Sequence, residues 1–197
     1  MIDANFSVRR NGFNLEARME DGGLISLGGE NGSGKTTFLK ALAGILPLSS
    51  GFINVNGRNV TEYEMQKRRI VYANQNSYFA HLEVDDHLKW ARKFQDFEVP
   101  LPVLKEAFGI NFSGKLRNLS LGQRMRVALA TAFSIRPDVI LLDEVISNIS
   151  GHEDMLGQIS ALSTEFAIDV ILVSHVPSDG FFNHRYSIEA GKLKKIS

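Results

Sequence analysis

The 197-residue chain contains no cysteine, which excludes a disulfide scaffold and any thiolate chemistry. It also lacks a net charge. Lys+Arg and Asp+Glu both number 22, so no global basic field exists to recruit nucleic acid or an anionic membrane, and no nucleic-acid partner is expected. No apolar stretch approaches the roughly 18 residues that a membrane span requires. The opening Met1-Ile2-Asp3-Ala4-Asn5 has neither the basic nor the apolar region of an export signal. A chain of this kind is expected to work in a reducing compartment, without crossing a membrane itself. What is present is a 44% hydrophobic content, enough to bury the core of one domain with an inserted subdomain.

The apolar residues fall into two patterns. Residues 5–8 and 13–19 flank Asn11-Gly12, a hairpin signal, and Phe52-Ile53-Asn54-Val55-Asn56 alternates like a half-buried strand, which predicts an antiparallel patch. Ile70-Val71-Tyr72, Val139-Ile140-Leu141-Leu142 and Val170-Ile171-Leu172-Val173 are continuous short runs, as parallel strands covered on both faces require. Met155, Leu156, Ile159, Leu162 and Phe166 recur at helical spacing between the last two and predict the crossover helix. The segment 186–196 predicts a final hairpin turning at Ala190-Gly191. Between residues 76 and 135 the strands vanish and amphipathic helices such as Val84 to Phe94 take over. The expectation is an α/β core made of 1–75 and 136–197, mainly parallel, carrying a helical subdomain at 76–135.

Against this frame, Gly29-Glu30-Asn31-Gly32-Ser33-Gly34-Lys35-Thr36-Thr37 lies between the apolar run Leu24-Ile25-Ser26-Leu27 and a helical pattern starting at Phe38. A strand, a glycine-rich loop and a helix start are the context in which G-x-x-x-x-G-K followed by Ser or Thr binds phosphate. Glycines open backbone conformations in which successive N–H groups converge on phosphate oxygens. Hydrogen bonds to a charged group contribute about 1.5–3 kcal/mol each, against about 0.3–1 kcal/mol for a helix dipole. The shape of the loop therefore matters more than the helix behind it. Lys35 is expected to reach the β- and γ-phosphates and Thr36 to hold Mg²⁺.

Two further elements carry chemistry. The run Val139 to Leu142 ends in Asp143-Glu144, and a carboxylate pair at the carboxyl end of a strand faces the same crevice as the phosphate loop. Asp143 is expected to bind Mg²⁺ opposite Thr36, and Glu144 to polarise the attacking water. Ser120 and Gln123 form an S-x-x-Q capping box, which predicts a helix start and a second site for an anion.

Leu119-Ser120-Leu121-Gly122-Gln123 resembles the L-S-G-G-Q signature of ATP-binding cassette ATPases, and other motifs of that family follow in order. Gln75 matches the Q-loop glutamine, 147–150 the D-loop and His175 the switch histidine. The resemblance implies a phosphate-loop fold of the cassette type, with ATP and Mg²⁺ as ligands. It implies that Glu144, His175 and Gln75 serve the hydrolytic centre, and that Gln75 also senses the metal. The phosphate loop from Gly29 and Asn31 through Thr37 would hold one nucleotide. Ser120, Gly122 and Gln123 would complete the pocket of an opposite subunit, in a homodimer or a heterodimer with a second cassette. The further implication is an ATP-hydrolysing subunit on the inner face of a membrane, energising a separate transmembrane permease, with Tyr78-Phe79-Ala80 and Leu82 where permeases dock. A soluble cassette ATPase acting on DNA or ribosomes is the alternative. A small-molecule kinase explains the loop but leaves the signature, Gln75 and His175 without purpose.

The chain departs from the family pattern at several positions. Leu121 stands where glycine is usual and is expected to hinder close approach to a nucleotide. Ser150 replaces an aspartate, with reduced coupling between sites as the expectation, and Glu30 and Val145 replace prolines. No aromatic aligns for adenine stacking. Arg9 or Arg10 falls there, while Phe6 reads as core.

Overall fold

Continuous apolar runs become the interior of the sheet because their strands are covered on both faces. The computed structural model describes residues 1–10, 12–94, 98–149, 151–173 and 180–197. It contains β3 (Leu24–Gly28), β6 (Ile70–Asn74), β7 (Val139–Asp143) and β8 (Asp169–Val173). These pair in parallel, β6 with β7, β7 with β8 and β8 with β3. The crossover from β7 to β8 is α5 (His152–Phe166), which buries Met155, Leu156, Ile159 and Leu162 as their spacing predicts. Phe166 is only partly buried, with the Arg136 guanidinium 6.0 Å above its ring.

The alternating segments form the expected antiparallel patch. β1 (Ile2–Arg10) and β2 (Phe13–Asp21) pair with Arg10 opposite Phe13, and β4 (Ser50–Val55) pairs with the other edge of β1, followed by β5 (Arg58–Asn59). β9 (His184–Glu189) and β10 (Lys192–Lys195) turn at Ala190 and Gly191, both at positive φ. This hairpin joins the two halves, since β9 runs parallel to β3 and β10 touches β2. One ten-stranded sheet results, in the order β5-β4-β1-β2-β10-β9-β3-β8-β7-β6.

The sheet separates two apolar clusters by its pleat. On β7, Val139 and Leu141 face the cluster that holds α1 (Lys35–Leu42), whereas Ile140 and Leu142 face the other. Phe6 belongs to the first, 3% exposed and stacked on Phe38 with ring centres 5.7 Å apart. The second cluster is shared by α5 and by the helices of residues 76–135, namely α2 (Val84–Trp90), α3 (Leu101–Ala107) and α4 (Leu121–Ser134). The helix expected from Val84 to Phe94 is α-helical to Trp90 and tightens into a 3₁₀ turn at Ala91–Phe94.

The end of α1 depends on one buried cation. A helix C-terminus leaves carbonyls without partners, and here Arg68, 6% exposed, donates to Leu42 O at 3.1 Å, Thr61 O at 2.6 Å and Tyr63 O at 3.0 Å. Burial lowers the pKa of the guanidinium below its ordinary value, against the charge of Glu62. Arg68→Met keeps the stem but leaves buried carbonyls unpaired, each at about 1–3 kcal/mol. The expected result is a loss of about 3 kcal/mol, read as a lower urea midpoint at unchanged slope. An unchanged midpoint overturns this assignment.

Candidate nucleotide site

Strand register brings distant segments to one line. Leu27 lies opposite Val173, Val173 opposite Asp143 and Asp143 opposite Asn74. Just past that row stand the glycine-rich loop after β3, Glu144 after β7 and Gln75 after β6, at the carboxyl ends where open parallel sheets collect ligands. His175, after β8, and Ser150 lie outside the described residues.

The loop is shaped by glycine. At Gly29, φ is 128°, and a Cβ there would sit 2.5 Å from Ile188 O and 2.8 Å from Ser33 Oγ. Gly34, at φ 115°, is the N-cap of α1, and no side chain caps that helix start. Ser33 Oγ is buried with no hydrogen-bond partner among the described residues. A buried orphan hydroxyl needs an explanation, and an oxygen-rich ligand in the loop supplies one. Lys35 is 7% exposed, and its Nζ donates to Gly29 O at 2.7 Å and Glu30 O at 2.9 Å. An ammonium has three donors, so the loop fixes the lysine and leaves one N–H for an incoming oxygen. Asn31, Gly32 and Thr36 are exposed and Thr37 half-buried around the same turn.

Asp143, 9% exposed, accepts at one oxygen, Oδ2, from Thr36 Oγ1 at 2.8 Å and from the Tyr72 hydroxyl at 2.8 Å. The structure thus joins Thr36 and Asp143 as the sequence predicts and adds Tyr72, which the sequence did not indicate. Burial pushes the Tyr72 hydroxyl up to about 12, with the bond to Asp143 and its charge acting the same way, so Tyr72 remains a donor. A hydroxyl and a carboxylate form a hard oxygen set that suits Mg²⁺ held jointly with phosphate. Among the described residues no group of three or more His, Cys, Asp or Glu gathers that could hold a metal ion.

Glu144 adopts φ 58°, a left-handed conformation that costs a non-glycine residue about 1–2 kcal/mol. Its N–H donates to Val173 O at 3.2 Å, which fixes this turn to β8. Strain held in place at such a position points to function, here a half-buried carboxylate set just beyond that of Asp143. Gln75 is half-buried directly after the Asn74 that pairs with Asp143.

The signature segment forms its predicted cap. Ser120 Oγ accepts from Gln123 N at 3.2 Å and Ser120 N donates to Gln123 Oε1 at 3.0 Å at the start of α4. Leu121 packs partly against the helical cluster. No hydrogen bond among the described residues links Ser120, Gly122 or Gln123 to the phosphate loop. Arg124 instead ties α4 to the segment after Gln75, donating to the Tyr78 hydroxyl at 2.6 Å and lying 5.0 Å above its ring.

Arg9 and Arg10 are exposed at the end of β1. The aromatic beside the loop is Phe13, whose Cζ would stand 2.8 Å from a Cβ on Gly34. Phe13 keeps the phase of Leu15, Ala17 and Met19, the buried face of β2, and that alternation was the available signal.

The protein-family model described as ABC transporter matches residues 13–147. The sulfate/thiosulfate import ATP-binding protein CysA of Mycobacterium bovis is 34% identical, over 78% of this chain and 47% of that protein. The molybdenum import ATP-binding protein ModC of Bordetella pertussis is 31% identical, over 97% and 57%. The Fe(3+) ions import ATP-binding protein FbpC of Photobacterium profundum is 31% identical, over 85% and 51%. The chain spans about half the length of these curated relatives. Among solved structures, a dimeric ATP-binding cassette in a post-hydrolysis state with ADP and Pi superimposes with a TM-score of 0.79 at 18% identity, covering 100% of this chain and 99% of that one. The cbiO1 protein of Clostridium perfringens, part of an ABC transporter complex, gives 0.79 at 19%, covering 98% and 86%.

Proposed function

Since the chain belongs to the ABC transporter family, we propose that it binds and hydrolyses ATP as the energy-supplying module of a membrane importer. The observation that carries this reading is the shared register of Leu27, Val173, Asp143 and Asn74, which places the phosphate loop, Glu144 and Gln75 at one sheet end. The CysA, ModC and FbpC names carry three different solutes. What they share is the import ATP-binding role, and that role is the one proposed.

In this reading Gly29, Asn31, Gly32, Ser33 and Gly34 direct loop donors at the phosphates, Lys35 adds its remaining N–H, and Thr37 lies at the first turn of α1. Thr36 and Asp143 hold Mg²⁺ with Gln75 at its margin, and the ion when bound neutralises charge on the phosphates. Glu144 orients and polarises water, with His175 as its partner in that task. Ser120, Gly122 and Gln123 present the start of α4 to the nucleotide of a second cassette. Residues 76–135 act as the helical subdomain that Gln75 and the Tyr78–Arg124 bond connect to the nucleotide site.

No helix among the described residues is long and apolar enough to cross a membrane. The proposed permease contact, on the cytoplasmic face, is an apolar trough along β6, the edge strand of the sheet, between β6 and the helices α2 and α4. Exposed Phe79 and Trp90 flank it, and Val71, Tyr78 and Ala128 line it. Phe13 is proposed to face the nucleotide base.

Calorimetric titration with Mg·ATP and with inorganic tripolyphosphate tests the reading. The chain is expected to bind both. Phe13→Ala is expected to lose about tenfold in ATP affinity, from base stacking, and to keep its tripolyphosphate affinity. A chain that binds neither contradicts the function, and equal losses for both remove the base-facing role of Phe13.

A further inference from the structure

The Asp143 carboxylate is held by one oxygen only. Its hydrogen bonds among the described residues, from Thr36 Oγ1 and from the Tyr72 hydroxyl, both at 2.8 Å, end on Oδ2. A carboxylate oxygen has about two acceptor sites. Two donors therefore fill Oδ2, and Oδ1 is left as the oxygen that Asp143 offers a cation.

The neighbours of Tyr72 fix both the place of its hydroxyl and the direction of the bond. Tyr72 stands opposite Leu141 where β6 pairs with β7, so Asp143 is its diagonal neighbour, a reach that an aromatic side chain spans. Its ring packs against the apolar cluster that holds α1. Asn74 Oδ1 accepts from Asn76 N at 2.8 Å, which turns Asn74 Nδ2 toward the Tyr72 hydroxyl at 3.4 Å. The hydroxyl accepts from that amide, and its single proton goes to Asp143. Asn74 is in turn fixed by Ser77, whose Oγ accepts from Asn74 N at 2.9 Å and whose N–H donates to Asn74 O at 3.0 Å.

A carboxylate with one oxygen filled does not suit all divalent cations equally. Mg²⁺ demands a near-octahedral shell at about 2.0–2.1 Å, keeps several waters and shares carboxylates with phosphates. Ca²⁺ is larger, gathers about six to eight oxygens at about 2.3–2.6 Å and accepts both oxygens of one carboxylate. Resting on the ATPase reading above, we propose that Tyr72 is a positioning residue that sets metal specificity: its hydroxyl closes the second acceptor site of Asp143 Oδ2, so that the nucleotide site favours Mg²⁺ over Ca²⁺. Thr36 by itself does not close that oxygen, because its one proton fills one acceptor site. Tyr72 acts through Asp143, by denying a larger cation the second carboxylate oxygen.

Tyr72→Phe keeps the ring and removes only the donor. Calorimetric titration with ATP in Mg²⁺ and in Ca²⁺ gives a ratio of two affinities for the unmodified full chain and for the variant. The ratio is expected to favour Mg²⁺ in the unmodified chain and to move about tenfold toward Ca²⁺ in the variant, the scale of one hydrogen bond to a charged group. Because two metals are compared on one protein, a general loss of stability or of nucleotide binding does not imitate that shift. A ratio that favours Ca²⁺ in the unmodified chain, or one that the variant leaves unchanged, overturns the proposal. A crystal structure of the unmodified chain with Ca²⁺ and ATP tests the same point without a variant. Oδ2 is expected to stay on Tyr72 and Thr36, with no more than Oδ1 directed at the cation, and both oxygens on the cation overturn the proposal. The two readings fail separately. A chain that binds ATP with neither metal contradicts the ATPase reading and the proposal with it, whereas binding with both metals at a ratio indifferent to Tyr72→Phe keeps the ATPase reading and removes the role of Tyr72.

Discussion

Gly34→Val is expected to weaken Mg·ATP binding by about a hundredfold or more while the chain stays folded. The reason is conformational first. Gly34 sits at φ 115°, beyond the left-handed region that L residues occasionally adopt and open only to glycine. A β-branched residue there must rotate the peptide at the start of α1, so the loop donors no longer converge. Losing two hydrogen bonds to a charged phosphate, at about 1.5–3 kcal/mol each, accounts for the magnitude. Sterics add to it, since the new Cβ would lie 2.8 Å from Phe13 Cζ and 3.2 Å from Cε1. The Phe13 ring yields more easily than backbone does, so this is the smaller part. Calorimetry gives the affinity, and a thermal melt confirms the fold. Unchanged affinity in a folded variant overturns the loop assignment.

Glu144→Gln is expected to lower turnover by about 10²–10⁴-fold, the range for a positioned acid or base, and to leave ATP affinity intact. The substitution is nearly isosteric. Glu144 holds its φ of 58° through the backbone bond from its N–H to Val173 O, which glutamine retains. Asp143, Thr36 and Lys35 keep their partners, so binding is preserved while the carboxylate proposed to polarise water is gone. Steady-state phosphate release measures the effect. Turnover at the unmodified rate removes Glu144 from the mechanism.

What could be read in advance depended on how far each feature extends along the chain. The glycine-rich loop, the Asp143-Glu144 strand end and the Ser120–Gln123 cap are contiguous stretches whose residues explain one another, and the structure contains the loop ahead of α1, the strand β7 and the cap of α4. The parallel strands were legible because burial on both faces leaves no polar position to alternate with. Tyr72 was not, because its bond to Asp143 spans 71 residues and exists only once β6 lies beside β7. Arg68 looked like one basic residue among several, and its role appears only when α1 ends beside it. Phe13 was not legible as the aromatic beside the loop because the family pattern puts Arg9 or Arg10 at the adenine position, although its phase with Leu15 places it on the inner face. The joining of antiparallel patch and parallel core through β10 is likewise a pairing between ends of the chain.

In the homodimeric form of the proposed function, one copy of the chain supplies the phosphate loop and a second copy the capped start of α4. The most direct test is the molar mass in solution of the Glu144→Gln variant with and without Mg·ATP. Binding without turnover is expected to trap the closed pair, so the mass should double on adding ATP and return to that of one chain when nucleotide is removed. A variant that binds ATP and remains a single chain at every concentration contradicts the claim that this chain pairs with its own copy across the nucleotide.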